Sequence, residues 1–258
     1  MDILQAIILG IIQGITEWLP VSSKAMVALV GKFLFGMSYQ DALSTAIFLH
    51  SGTLLAAIVY FRKDIIEIIK SVFRKGKKEL LVFLIITTLM TGIIGLPLLF
   101  IALNFEFPDS VFTIFIGFVL IIIAYLHRNR NENFGAELTS KNAILVGLAQ
   151  GLSALPGVSR SGVTLVALLG RDFSLKESLK LSFLMSIPTV LGVELALPLI
   201  KGDFSISGEL IFGGIVAAVV GFITIDYLLK IAARKDFYKI IFALGILIVV
   251  LGIGLVFS

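Results

Sequence analysis

Apolar runs at 81–103, 111–126, 210–229 and 240–257 constrain this chain more than any other feature. As helices they are long enough to cross about 30 Å of hydrocarbon. The rest of the composition agrees. Of 258 residues, 58% are hydrophobic and 15% charged, and the mean hydropathy is +1.08, so one soluble core could not hide the apolar surface. The expected fold class is an all-α integral membrane protein, with residues 1–258 forming a single membrane domain. The first apolar run opens on Asp2 rather than a basic region and shows no small-residue cleavage pattern, so it reads as part of the mature chain. No cysteine is present, which excludes disulfides, thiolate catalysis and cysteine metal sites. A net charge of +4 without a basic stripe argues against a nucleic-acid partner. The expected partner is the lipid bilayer, crossed several times.

Polar segments divide the chain. Arg62, Lys63, Lys70, Arg74, Lys75, Lys77 and Lys78 crowd one connection and Lys230, Arg234, Lys235 and Lys239 another, whereas 104–109 has no Lys or Arg. The positive-inside rule places the basic connections in the cytoplasm. Alternating crossings then give six transmembrane helices, at 39–61, 79–103, 110–127, 178–200, 209–230 and 239–257. The remaining apolar pieces, around 2–36 and 141–170, must each leave and return on one side, as re-entrant helical hairpins.

The chain also repeats itself. "AIILGIIQGIT" at 6–16 matches "AILVGLAQGLS" at 143–153, "LPVSSK" is echoed by "LPGVSRS", and Ser38/Asp41 and Ser174/Glu177 form matching S-x-x-[DE] capping boxes. Repeat one covers 1–127 and repeat two 141–258. With one hairpin and three spans apiece, the second copy is upside down, an inverted-topology repeat.

A proline with neighbouring hydroxyls interrupts a helix in each half, and non-helical backbone at membrane depth requires protein or a wet cavity to satisfy it. Both broken tips are expected near the midplane, where the N-termini of the returning helices present N–H groups to an anion. Gly157 permits close backbone approach, Ser22, Ser23, Ser159 and Ser161 donate hydrogen bonds, and Arg160 offers a planar fork suited to phosphate. Arg160 paired with Glu17 as structural glue is the plain alternative. Intramembrane ionisable groups more often mark function.

Gln13-x-x-x-Glu17 followed by Pro20-Val21-Ser22-Ser23, and Pro156-Gly157-x-Ser159-Arg160-Ser161-x-x-Thr164, resemble the two signature motifs of the undecaprenyl-pyrophosphate phosphatase (bacitracin-resistance) family. The resemblance covers nearly the whole chain. It implies hydrolysis of a polyprenyl diphosphate to the monophosphate lipid carrier, dependent on a divalent cation, Mg²⁺ or Ca²⁺. It also implies roles: Glu17 catalytic and metal-binding, Gln13 its partner, Arg160 on the diphosphate, Ser22, Ser159, Ser161, Gly157 and Thr164 lining the substrate. The family usually follows its first Pro-x-Ser-Ser with Thr-Gly-His, where this chain has Lys24-Ala25-Met26. The missing His leaves Glu17 or His50, in "FLHSGT", to handle the proton, and Lys24 as a second cation near phosphate. Ser23 is the candidate nucleophile, although sequence alone places no base beside it. A polyprenyl-phosphate transporter or flippase without hydrolysis is the rival, since an inverted repeat with a midplane anion site is also transporter architecture. A homodimer is left open.

Overall fold

The computed structural model describes residues 1–73, 78–104, 109–127, 136–155, 157–201, 207–232 and 236–256. Among them the chain is helical throughout: α1 (Ile3–Thr16), α2 (Ser23–Phe35), α3 (Tyr39–Tyr60), α4 (Arg62–Phe73), α5 (Glu79–Asn104), α6 (Asp109–His127), α7 (Ser140–Gly151), a short 3₁₀ turn (Leu152–Ala154), α8 (Arg160–Leu169), α9 (Leu175–Lys201), α10 (Gly208–Ile231) and α11 (Phe237–Val256). Pro156, Arg74–Lys77 and most of the polar connections expected at 104–109, 127–141 and 201–208 lie outside the described residues.

The six helices expected to span stand where the apolar runs put them. Those within α3, α5, α9 and α10, over Asp41–Tyr60, Glu79–Ile101, Leu175–Leu195 and Gly208–Ile231, are long and apolar enough to cross a membrane; Tyr238–Gly254 in α11 is shorter. The protein is an all-α membrane protein. Both expected breaks are present, between α1 and α2 and between α7 and α8. The sequence missed α4, because its charges made the segment read as a connection.

Starts are set by local hydrogen bonds. Asp2 and Gln5 cap α1 reciprocally, and Ser174 and Glu177 do the same for α9. Ser38 caps α3 by accepting from Asp41 N, while its hydroxyl donates to the Asp41 carboxylate. Each closed cap satisfies donors that would otherwise be orphaned at a helix start.

The contacts define two compact units, Met1–Lys63 with Ser186–Leu228, and Asp64–Met185 with Leu229–Ser258. In the first unit α1 packs on α10 through glycines. A Cβ at Gly10 would lie 2.5 Å from the Gly213 carbonyl and 3.1 Å from Val216 Cβ, and one at Gly14 2.8 Å from Val220 Cβ and 2.9 Å from Gly221 N. A Cβ at Gly52 on α3 would collide with the Gly214 carbonyl. Leu9, Val27, Ala46 and Leu49 then close a small core among α1, α2 and α3.

In the second unit α7 packs on α5 the same way. Cβ atoms at Gly147 and Gly151 would lie 2.7 Å from Met90 Cβ and 2.7 Å from Ile94 Cβ. The pairs Gly10/Gly14 and Gly147/Gly151 occupy matching places in the two sequence copies. Their neighbours also step alike along the partner helices: Gly213, Val216, Val220 and Gly221 on α10, and Thr87, Met90, Ile94 and Gly95 on α5. Each unit therefore docks the first helix of one copy on a helix from the other copy. Close approach through small residues is how membrane helices associate where lipid gives no hydrophobic drive. The second unit also contains the Gly117/Gly245 crossing of α6 and α11, and a core of Phe83, Ala143, Val146, Leu168, Phe173, Leu181 and Met185.

Candidate active site

Within the first unit, one carboxylate oxygen gathers three side chains. Gln13 and Glu17 lie a helical turn apart at the end of α1, so Gln13 Nε2 donates to Glu17 Oε2 at 2.9 Å. The chain turns through Trp18–Pro20 and restarts as α2, which brings Ser23 Oγ to donate to the same oxygen at 2.7 Å. From α3, His50 Nε2 approaches it at 3.2 Å. Gln13, Glu17 and Ser23 are buried and His50 nearly so. Trp18, also buried, sits with Nε1 against the Gly221 position of α10, where a side chain would displace it.

The proton arrangement follows from donor chemistry. His50 Nδ1 lies 2.6 Å from the Ala46 carbonyl, which can only accept, so Nδ1 carries a hydrogen. Nε2 faces a carboxylate that is itself an acceptor unless protonated. The Nε2–Oε2 contact is where a proton can pass between ring and acid, and Ser23 Oγ points its own at the same oxygen.

The half-buried Glu194 of α9 lies within electrostatic reach of both His50 and Glu17. No motif marks it in the sequence; the available signal was an acid inside an apolar span. Lys24 is half-buried in the first turn of α2. Ser22 is the N-cap of α2, its hydroxyl accepting from Ala25 N at 3.4 Å.

The second unit carries the other motif. Gly157 has φ +76°, in the left-handed region that glycine enters without a Cβ penalty, and the chain then turns into α8. Ser159 caps α8 by accepting from Gly162 N at 3.1 Å and lies 3.1 Å from Ser161 Oγ. Arg160 opens the helix, with Nη1 donating to the Ser182 carbonyl at 3.2 Å. Thr164, fully buried, shares a 2.6 Å hydrogen bond with Ser182 Oγ. Ser182 of α9 thus braces both Arg160 and Thr164, and no motif announced it. The copies diverge in chemistry at matching places: Glu17 faces Ala154 in the alignment, His50 faces Met185, and the first helical residue is Ser23 in one copy and Arg160 in the other.

A divalent cation of the hard, oxygen-seeking kind finds a partial donor set. No group of three His, Cys, Asp or Glu able to hold a metal exists among the described residues. The fully buried Gln13, however, leaves its amide oxygen without a hydrogen-bond partner among them while its nitrogen holds Glu17. One carboxylate and one amide oxygen suit Mg²⁺, which commonly completes its shell with water and substrate phosphate.

The family model for "Bacitracin resistance protein BacA" matches residues 6–253. Proteins named undecaprenyl-diphosphatase are similar over nearly their full lengths. That of Methanococcoides burtonii is 42% identical, covering 96% of this chain and 97% of the relative. That of Sulfurisphaera tokodaii is 38% identical, covering 98% of each, and that of Methanothrix thermoacetophila 38%, covering 96% of each.

Proposed function

The chain belongs to the bacitracin resistance protein BacA family, and from that membership we propose that it is a multi-pass plasma-membrane phosphatase that hydrolyses undecaprenyl-type diphosphate to the monophosphate carrier. The observation that carries the chemistry is the convergence of Gln13, Ser23 and His50 on one oxygen of Glu17. Ser23 Oγ attacks the terminal phosphorus and gives its proton to Glu17 Oε2. The bond from that phosphorus to the bridging oxygen breaks, and its electron pair leaves with the polyprenyl monophosphate. Water then attacks the phosphoserine and loses a proton to the Glu17–His50 pair, while the bond from phosphorus to Ser23 Oγ breaks, Glu17 returns to that oxygen the proton it took in the first step, and inorganic phosphate leaves. His50 occupies the proton-handling role that the family's missing His leaves open, since its tautomer is fixed by the Ala46 carbonyl.

Gln13 and Glu17 would hold a Mg²⁺ or Ca²⁺ ion, which would neutralise phosphate charge. Arg160 binds diphosphate oxygens, for which its fork is suited. In the first unit Ser22 and Lys24, and in the second Gly157, Ser159, Ser161 and Thr164, are the further residues we assign to substrate binding. The matched glycine contacts of the two copies support an inverted repeat with re-entrant α1–α2 and α7–α8.

The test is phosphate release from a long-chain polyprenyl diphosphate by purified protein, with and without divalent cation, coupled to rapid acid quench and peptide mass spectrometry. Metal-dependent release with phosphorylated Ser23 in the quenched sample is expected. Release without phosphoserine would transfer the attack to a water activated by Glu17. Folded protein that binds polyprenyl phosphate yet releases no phosphate with either metal would instead establish the translocase.

A further inference from the structure

Helix α4 is placed between two spans and buries none of its residues. It follows α3 after a single residue and is followed by α5, so both of its ends are tied to helices long and apolar enough to cross a membrane. Its apolar side chains are presented outward: Ile66 is 47% exposed, Ile69 56%, Val72 47% and Phe73 86%. Lys63, Glu67 and Lys70 recur at helical spacing on a separate polar stripe, all exposed.

The charge balance on this helix is one-sided. Its two acids are engaged, Asp64 by Lys180 at 2.6 Å and Glu67 by Lys70 at 3.3 Å. Arg62 donates to the Val59 carbonyl and Lys78 to the Val72 carbonyl, and neither meets an acid among the described residues. The sequence adds Arg74, Lys75 and Lys77 between α4 and α5. A short helix with an apolar outer face and surplus cations, held at an interface, has the physical make-up of a segment that lies in the headgroup layer of an anionic membrane.

We propose that α4 is an interfacial anchor, which seats Ile66, Ile69, Val72 and Phe73 at the boundary of headgroups and acyl chains and binds the phosphates of anionic lipids through Arg62, Lys63 and Lys78. The site is independent of the hydrolase reading and would operate in a translocase equally well. Its ligand is bilayer lipid, and the cationic groups act on headgroup charge rather than on lipid-chain identity.

The native chain lacks cysteine, so an environment-sensitive fluorophore can be attached at Phe73→Cys, at Ile69→Cys or, on the polar stripe, at Glu67→Cys. In phosphatidylcholine vesicles containing phosphatidylglycerol, probes at Phe73 and Ile69 should be blue-shifted, quenched by doxyl-labelled lipid and shielded from aqueous iodide, while the Glu67 probe stays open to iodide. Equal iodide quenching at all three positions overturns the seating. For the headgroup arm, the unlabelled wild type and Arg62→Gln/Lys63→Gln are titrated with phosphatidylglycerol in phosphatidylcholine nanodiscs. Each charge removed should weaken the phosphatidylglycerol effect on the thermal midpoint about fivefold in apparent affinity. Midpoints that are the same with and without phosphatidylglycerol overturn the anionic-lipid site. Probe shielding that appears in detergent and grows with protein concentration means a second copy covers the face, and overturns the proposal as well.

Discussion

Glu17 is the residue on which the chemistry turns, and its neighbours make separate predictions. Glu17→Gln retains the shape and the hydrogen-bonding reach toward Ser23 but cannot take its proton, so turnover should collapse while diphosphate binding persists. Retained turnover would reduce Glu17 to a structural partner of Gln13 and His50. Ser23→Ala should abolish both turnover and the phosphorylated peptide. Arg160→Lys preserves charge and removes the fork, and diphosphate affinity should fall by roughly 1–3 kcal/mol; unchanged affinity and turnover would remove Arg160 from the site. Part of this was legible in the sequence. The interval from Gln13 to Glu17 is one helical turn, so their contact can be read directly, and the proline after them announces the break. His50 lies on another helix, and neither its approach to Glu17 nor the tautomer set by Ala46 has a local signature. The base beside Ser23 was missing from the sequence reading because it needed the turn at Trp18–Pro20 to fold Ser23 back onto Glu17.

Elements carry their own predictions, and glycine supplies the sharpest. Gly14→Leu forces a branched side chain into the α1–α10 crossing, where a Cβ alone already meets Val220 Cβ at 2.8 Å. Loss of about 1–3 kcal/mol or failure to fold is expected, read as a lowered thermal midpoint in detergent. Gly92→Ala, also within a helix, has nothing within 4 Å of the added Cβ. It should be neutral or stabilising by up to about 1 kcal/mol, because alanine loses less backbone entropy than glycine. Equal destabilisation by both would mean that the crossing is not what these glycines serve. Helix positions were legible because hydrophobic length and caps such as Ser174–Glu177 are local. The exception, α4, shows the limit: dense charge reads as loop when only span-length apolar runs are sought, and the apolar face of a short interfacial helix is too narrow to register as a span.

At the scale of the whole molecule, the sequence similarity of the two halves runs parallel to features that no single motif explains. Gly10/Gly14 and Gly147/Gly151 dock in matching patterns on helices of the opposite copy, whereas the acid and histidine appear in one copy and the arginine in the other. The two halves thus match in the packing of these glycines and differ in the chemistry of their breaks. The Gln-Gly and Leu-Pro similarities between the halves are legible in the sequence, but not the exchange of helices, since a partner helix more than a hundred residues away leaves no local trace. Inverted topology makes a testable demand. An inverted repeat requires the first hairpin to enter and return from outside and the second from inside, so Lys32 at the end of α2 and Glu137 before α7 should face opposite sides of the membrane, with Lys70 of α4 on the side of Glu137. All three are exposed. Single cysteines replacing them in the cysteine-free chain, probed with a membrane-impermeant maleimide in sealed right-side-out vesicles, should label at Lys32→Cys before lysis and at the other two only after it. Labelling of Lys32→Cys and Glu137→Cys from the same side would leave the duplication standing but remove the inversion, because the two breaks would then open toward one face.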